Sequence, residues 1–319
     1  MEGTKNRPFW VIVKKEMADH ILSWRFNILL LLILLTTIAS LYTAGLSIRD
    51  AVPKSDTILP DDLFLKIFTV SNGTLPSFIT FVGFLGPLLG IGMGFDAINS
   101  ERNKGTLIRL LSQPLYRDDI ILGKWVGALI LLALFFFAMG ILVTGLGLLL
   151  FGIPPSAEEF LRVLAFLFVT VVYIAFWLTL SILFSILFRQ ASTSVMAGMA
   201  VWLFFTLFYG MIINLMAGSV NTDQNADPEA VLNQIYFLQF LSRLSPSQLF
   251  TEATTTLLTP WVRSLGPLTM EQVYGTIPSP LPLSQSLLLI WPHVVGLIAL
   301  SVLLFAISFL LFMRQEVRS

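Results

Sequence analysis

Six long apolar stretches constrain this chain of 319 residues more than any other feature of its sequence. A helix needs about 20 consecutive apolar residues to cross a hydrocarbon core that is about 30 Å thick. The stretches that meet this requirement lie at 27–48, 77–98, 120–151, 159–187, 193–217 and 285–313. They predict an all-α polytopic membrane protein with six transmembrane helices.

The composition agrees with a chain whose surface is largely covered by lipid. Hydrophobic residues make up 56% of it and charged residues 12%, whereas soluble domains carry about 45–50% apolar and about 25% charged residues. The net charge of zero gives no indication of a nucleic-acid partner. The absence of cysteine excludes disulfides, thiolate metal sites and cysteine nucleophiles. His20 and His293 lie far apart, and we interpret them as polar residues near the membrane boundaries, without a metal.

The distribution of Lys and Arg predicts the orientation of the spans. An even number of spans places both termini on one side, which carries thirteen of the nineteen basic residues. Because cytoplasmic loops carry the excess of positive charge, we predict cytoplasmic termini and an inner-membrane location. The predicted organisation is a cytoplasmic interfacial segment (1–26), five spans with a cytoplasmic loop at 99–119 (27–217), an extracytoplasmic segment (218–284) and the sixth span with its tail (285–319).

Residues 8–26 predict a helix that lies in the headgroup layer of the membrane. A single helical stripe carries Phe9, Val13, Met17, Ile21 and Trp24. Aromatic residues on one face with bases beside it suit such an interfacial helix. The alternative is an ordinary docked helix.

The loop 99–119 predicts a short amphipathic helix held between spans two and three. Gly105 can end the helix that leaves span two, and Thr106 can cap a new helix. Leu107, Leu110 and Leu111 form its apolar side. Pro114 ends it. A cytoplasmic partner could hold this helix and pull on both spans; the alternative, a solvated and positively charged turn, remains open on local physics alone.

The same loop resembles the hallmark of ABC-2 type transporter permeases, the membrane subunits of one class of ATP-driven transporters. That pattern is Glu-Arg-x-x-Gly-Thr-Leu, then Leu-Leu, Pro, Arg and a Gly-Lys pair. The matching residues are Glu101, Arg102, Gly105, Thr106, Leu107, Leu110, Leu111, Pro114, Arg117, Gly123 and Lys124. The segment 94–98 before the loop, and Lys14 to Met17 ahead of a Trp-Arg-Phe entry into span one, are also similar to the family.

A further element resembles one subfamily, which includes the nitrous-oxide-reductase maturation permease. Ser245-Pro246 followed by Phe250 is similar to the Asn-Pro-x-x-x-Phe element of that subfamily, with Ser245 in place of Asn.

The resemblance implies a coupling helix that docks into a groove of a separate P-loop ATPase subunit. That partner would bind ATP and Mg, and this chain would hold no cofactor. The implied docking residues are Glu101, Arg102, Gly105, Thr106, Leu107, Arg109, Leu110, Leu111, Pro114 and Arg117. The leader would be the connecting, or elbow, helix, and a second permease chain, identical or different, would pair with this one.

The chain has none of the sequence motifs that would make it an ATPase or a hydrolase. It has no Gly-x-x-x-x-Gly-Lys-Ser/Thr phosphate loop, and no catalytic constellation is visible in its spans. Gly86, Gly90 and Gly94 recur every four residues, a stripe on which another helix can approach closely. This stripe predicts helix packing, either within the chain or at an interface between two permease chains.

The segment 218–284 predicts two short helices, at 230–243 and at 246–258, with Ser245 as the cap of the second. We expect it to be a gate, a docking site for an extracytoplasmic partner, or a lid over the outer ends of the spans.

Together these features predict the permease subunit of an ABC-2 type transporter. It would couple ATP hydrolysis in a separate subunit to export, or to mechanical signalling through the membrane. One alternative is a permease for metalloenzyme maturation, and another, of a different class, is a membrane scaffold or anchor without a transport role. The nearly featureless apolar spans indicate a lipid-like or amphipathic substrate.

Overall fold

The structure describes residues 8–51, 63–71, 73, 75–105, 116–152, 154–218, 228–262 and 280–314. In this computed structural model these residues are helical almost throughout and contain no strand. The helices in chain order are α1 (Pro8–Ile21), α2 (Trp24–Ala51), α3 (Leu63–Thr69), α4 (Phe78–Gly94), α5 (Asn99–Asn103), α6 (Arg117–Phe151), α7 (Ala157–Leu187), α8 (Ala191–Leu203), a π-helix (Phe204–Phe208), α9 (Tyr209–Gly218), α10 (Pro228–Ser242), α11 (Pro246–Leu258) and α12 (Leu283–Arg314).

Six helical stretches are long and apolar enough to cross a membrane, which is the number that the sequence predicts. We call them spans one to six: Trp24–Ile48, Phe78–Asn103, Arg117–Leu150, Ala157–Leu187, Ala191–Gly218 and Leu283–Arg314. The end of the bundle that carries α1, α5 and the start of span three is called the leader end. The opposite end, which carries α3 and α11, is called the far end.

Local sequence signals set several helix boundaries. Ser156 and Glu159 form a reciprocal capping box at the start of span four, in which each side chain accepts a hydrogen bond from the backbone N–H of the other. Span three ends at Gly152, whose φ of +66° is the left-handed conformation that glycine adopts without strain.

Span four is the central helix of the bundle. Of the residues in its most apolar part, 72% are buried, whereas the corresponding share in span five is 11%. Spans two and four approach closely because the glycine stripe of span two faces span four. A Cβ at Gly94 would lie 2.8 Å from the carbonyl oxygen of Leu178, and one at Gly90 would lie 3.0 Å from that of Ile174. Gly86 also faces Ile174, so the stripe packs against a helix of the same chain.

The far end is built from helices that insert between the ends of the spans. Phe250 of α11 stacks on Tyr173 of span four, with ring centroids 4.3 Å apart. Arg162, also in span four, is 1% exposed and donates hydrogen bonds to the carbonyls of Leu257 at 2.9 Å and of Leu281 at 2.5 Å. Since Leu257 lies in α11 and Leu281 just before span six, Arg162 joins three segments.

Three details differ from the sequence-based expectations. Residues 8–26 do not form one helix, because α1 ends at Ile21 and span one begins at Trp24. Ser245 stands at the N-cap position of α11, but its side chain makes no capping hydrogen bond. The short helix α3 was not expected, although four of its side chains are buried against the spans.

Candidate functional site at the base of the predicted coupling loop

Charged side chains from three segments meet at the leader end of the bundle. Lys124, in the second turn of span three, places its ammonium 2.7 Å from a carboxylate oxygen of Glu16 in α1. The same ammonium lies 3.6 Å from a carboxylate oxygen of Glu101 in α5. Lys15 lies 3.5 Å from that same oxygen of Glu101. We call Lys15, Glu16, Glu101 and Lys124 the junction network, because it joins α1, the end of span two and the start of span three.

The centre of the junction network is shielded from solvent. The side chains of Lys124 and Glu16 are 6% and 9% exposed, whereas that of Lys15 is 48% exposed. Opposite charges attract each other more strongly here than in water, because the effective dielectric constant is lower. Since a buried charge without a partner is strongly unfavourable, Glu16 and Lys124 each require the other.

The surroundings of α1 also shift two pKa values. Burial lowers the pKa of Lys15, but the negative charges of Glu16, Glu101 and Asp19 outweigh burial and raise that pKa above its ordinary value. The pKa of His20 is lowered, chiefly by burial. At neutral pH the network therefore keeps the charge of Lys15, and His20 adds none.

The helix α1 reaches Lys124 because the neighbouring positions of span three carry no side chain. A Cβ at Gly123 would lie 2.7 Å from Cγ2 of Ile12, and one at Gly127 would lie 3.1 Å from the carbonyl oxygen of Val13. Ile12 and Val13 are both buried. The two glycines thus form the surface on which α1 packs, and they flank the lysine that it pairs with.

A second charged contact fixes the start of span one to the end of span two. A guanidinium nitrogen of Arg25 lies 2.6 Å from a carboxylate oxygen of Asp96. The guanidinium carbon also lies 5.0 Å from the ring centroid of Phe95. A charge-assisted hydrogen bond and a cation–π contact therefore act on the same arginine.

Span four holds the same segment from another side. The backbone N–H groups of Ile98 and Asn99 donate to the hydroxyl of Ser185 at 2.9 and 3.2 Å. The side-chain amide of Asn103 donates to the carbonyl of Arg189 at 3.1 Å. Residues 95–103 are therefore fastened to α1 and to spans one, three and four at the point where the loop 99–119 leaves the bundle.

The sequence family described as "ABC-2 family transporter protein" matches this chain over residues 10–317, nearly its whole length. The chain belongs to this family. It is a multi-pass membrane protein of the permease type, and the resemblance found in its sequence is confirmed.

Two relatives of this ABC-2 permease carry the same description in different organisms. The probable ABC transporter permease protein NosY of Pseudomonas aeruginosa is 27% identical over 245 residues. The protein of that name from Stutzerimonas stutzeri is 28% identical over 245 residues. In both cases the aligned region covers 76% of this chain and 79% of the relative.

The described part of this ABC-2 permease contains only some of the residues predicted to dock the ATPase subunit. Glu101 lies in the junction network, and Arg102 is exposed beside it in α5. Gly105 follows α5 with a φ of +68°, as expected for a residue that ends a helix. Arg117 begins span three. The remaining residues lie outside the described part of the chain: Thr106, Leu107, Arg109, Leu110, Leu111 and Pro114.

The predicted docking set did not include Glu16, Arg25, Asp96 or Lys124. All four lie in segments that resemble the family, with Lys124 in its Gly-Lys pair. A lysine in the second turn of an apolar span also needs an acidic partner. Arg25 and Asp96 are 71 residues apart and offer no local signal of their pairing.

Proposed function

We propose that this ABC-2 permease is a non-catalytic subunit that converts ATP hydrolysis in a separate P-loop ATPase into movement of its spans. The result would be export across the inner membrane, or mechanical signalling through it. The observation that supports this proposal best is the junction network together with its neighbouring contacts. They fasten the segment from which the predicted coupling loop leaves to four different helices.

The arrangement suits the transmission of force. A partner that displaced the loop 99–119 would act on residues 95–103, which hydrogen bonds and ion pairs hold to α1 and to spans one, three and four. Hydrogen bonds and ion pairs that act together resist separation, so these helices would move with the segment and not slide past it. ATP and Mg would be bound by the partner, and a second permease chain would complete the membrane part. In this arrangement the leader end and both termini are cytoplasmic.

The proposal is tested by purifying the tagged full-length chain from membranes of its native host in mild detergent. Mass spectrometry identifies the proteins that accompany it, and an ATPase assay follows. The variants are Glu101→Ala, which removes one member of the junction network, and Gly105→Ala, which places a side chain at a φ of +68°. We expect a P-loop ATPase to accompany the wild-type chain, and both variants to lose it or to lose its stimulation by the permease.

Gly152→Ala is the matched control for the glycine variant. Gly152 has a φ of +66°, and no described residue places an atom within 4 Å of a Cβ added at either glycine. The two substitutions therefore introduce the same backbone strain, of about 1 kcal/mol, but only Gly105 lies in the predicted coupling loop. Recovery of the chain without an ATPase, when the partner is expressed, would contradict the proposal and support the scaffold alternative. An ATPase that is indifferent to Glu101→Ala and Gly105→Ala would contradict the role of the loop.

A further inference from the structure

A cavity of about 660 Å³ lies at the far end of the bundle, away from the junction network. Its walls are the start of span two, the second half of span five and the helix α11. A volume of this size falls within the range of pockets that hold small molecules, about 300–1,000 Å³.

The lining of the cavity is polar but uncharged. Eleven of the 21 described residues that line it are Ser or Thr, and none of these 21 is Asp, Glu, Lys, Arg or His. Thr80, Gly210 and Thr251 are exposed, so the cavity opens to the surface of the chain. A ligand of either charge would find no counter-charge in this lining.

Several of the hydroxyl groups donate their hydrogen within the chain and present acceptors to the cavity. Thr251 donates its hydrogen to the carbonyl of Ser247, and Thr254 donates to the carbonyl of Phe250, each at 2.8 Å. Ser242 likewise donates to a carbonyl three residues earlier. A hydroxyl that donates in this way keeps lone pairs with which to accept. These hydroxyls therefore favour a ligand that donates hydrogen bonds to them.

Apart from the amides of Asn214 and Gln248, the rest of the described lining is aromatic or aliphatic, or is glycine. Phe84 of span two, Phe205 of span five and Phe250 of α11 contribute rings to the cavity. A ligand that fits both surfaces has an apolar part beside its hydrogen-bonding part.

A charged cluster that contacts the lining residue Gln248 is paired within itself. The carboxylate of Glu252 lies 2.9 Å from a guanidinium nitrogen of Arg243 and 2.8 Å from a ring nitrogen of His293. Burial raises the pKa of this carboxyl, but hydrogen bonds from His293, Gln248 and Arg243 outweigh burial and hold it below its ordinary value. Glu252 is therefore ionised and neutralised by its partners, and of this group only Gln248 lines the cavity.

The wall formed by span five has an irregular backbone. Phe204–Phe208 form a π-helix, a feature that is frequent at functional sites. The buried hydroxyl of Thr206, in the π-helix, has no hydrogen-bond partner among the described residues.

From these observations we propose that the cavity binds an uncharged amphipathic molecule whose polar part carries several hydroxyl groups, such as a glycoside. The identification of this molecule as the one that the permease moves or senses rests on the proposed function. The binding itself does not.

The test uses the full-length chain in nanodiscs and equilibrium dialysis against radiolabelled octyl β-D-glucopyranoside. Octylammonium and octyl sulfate are compared because they share the octyl tail and carry charged heads. Empty nanodiscs of the same lipid measure partition into the bilayer. We expect a saturable excess of about one glucoside per chain, and no saturable excess of either charged probe.

Two variants examine the site. An added Cβ at Gly210 meets no atom within 4 Å, so Gly210→Leu fills the cavity without a backbone clash; we expect it to weaken glucoside binding at least ten-fold. Gly145→Leu is the matched control, because Gly145 is also exposed, helical and free of neighbours, but lies in span three outside the cavity. Thr251→Val, which removes one exposed hydroxyl at nearly constant volume, should weaken binding about five-fold.

The outcomes separate this proposal from the proposed function. Absence of saturable glucoside binding, equal binding by octylammonium or octyl sulfate, or no effect of Gly210→Leu and Thr251→Val would overturn the site. The recovery of an ATPase with the chain would leave the proposed function intact in each of those cases. Saturable binding that responds to the variants, without any ATPase partner, would support the site and contradict the proposed function.

Discussion

Removal of the ammonium group of Lys124 tests whether the junction network fastens α1 to span three. In Lys124→Met the side chain keeps its apolar stem, while the carboxylate of Glu16, 9% exposed, loses a partner 2.7 Å away. Two unit charges at 2.7 Å attract each other by about 6 kcal/mol at an effective dielectric constant of about 20, before desolvation is subtracted. Removal of one member of a buried pair destabilises by about 3–5 kcal/mol, because the other charge stays buried. We therefore expect Lys124→Met to lower the free energy of unfolding by about 3 kcal/mol.

The double variant separates the ion pair from other consequences of the substitution. Once Lys124 is Met, Glu16→Gln removes the stranded charge, so we expect it to recover part of the loss and to give a coupling energy of about 2 kcal/mol. The assay is unfolding of the purified chain in mixed micelles with increasing SDS, followed by tryptophan fluorescence.

Lys15→Met is the matched control, because Lys15 also contacts Glu101 but is 48% exposed. Exposed ion pairs contribute about 0–1 kcal/mol. A loss in Lys124→Met no larger than in Lys15→Met would refute the argument from burial. So would additivity of Lys124→Met and Glu16→Gln within about 0.5 kcal/mol.

Three further substitutions give distinct expectations in the same unfolding assay. Gly94→Ala should destabilise the fold by about 1–3 kcal/mol, because the added Cβ would lie 2.8 Å from the carbonyl oxygen of Leu178. Gly145→Ala is the control, since no described atom lies near its Cβ, and it should be neutral or stabilising. Equal effects of the two substitutions would contradict the close approach of spans two and four. Arg162→Lys should destabilise the fold by at least about 2 kcal/mol, since an ammonium cannot replace all the hydrogen bonds by which the guanidinium joins three segments. A smaller loss would show that a positive charge at this position is sufficient for stability. Because the pKa of Glu252 is depressed in the folded chain, its stabilising contribution is present above the ordinary value of 4.5 and is lost as pH falls through the folded pKa. The free energy of unfolding of Glu252→Gln should therefore fall less than that of wild type between pH 5 and pH 3. An equal fall with pH in the two proteins would contradict this expectation.

The spans could be predicted from sequence because hydrophobic length is a property of each segment by itself. The packing of the leader could not. The stripe through Phe9 and Trp24 predicted one face, yet Trp24 is 77% exposed, while Ile12 and Glu16, which lie outside the stripe, are buried. A glutamate would normally indicate a solvated face, and only its partner in span three makes its burial favourable.

The candidate site could be predicted only in part, because its contacts join residues that are far apart in sequence. Motif resemblance identified the loop, Glu101, Lys124 and the segment that contains Glu16, but it did not indicate that Glu16 and Lys124, 108 residues apart in sequence, would pair. Their pairing depends on Gly123 and Gly127, which let α1 approach span three. The glycine spacing was visible in the sequence, whereas the helix that covers it was not.

The π-helix of span five also sets which side chains of that span face inward. In terms of helical register it acts as a one-residue insertion, and each residue of an α-helix advances the direction of the side chains by about 100°. The second half of the span is therefore turned by about that angle relative to an uninterrupted helix, which directs Tyr209 and Ile213 towards the cavity. A substitution that returned Phe204–Phe208 to α-helical hydrogen bonding without removing a residue would leave a span almost as apolar as before, and no hydropathy profile would register the change. The rotated half would nevertheless present a different set of side chains to the cavity, so a sequence of equal hydrophobicity would have a different binding surface.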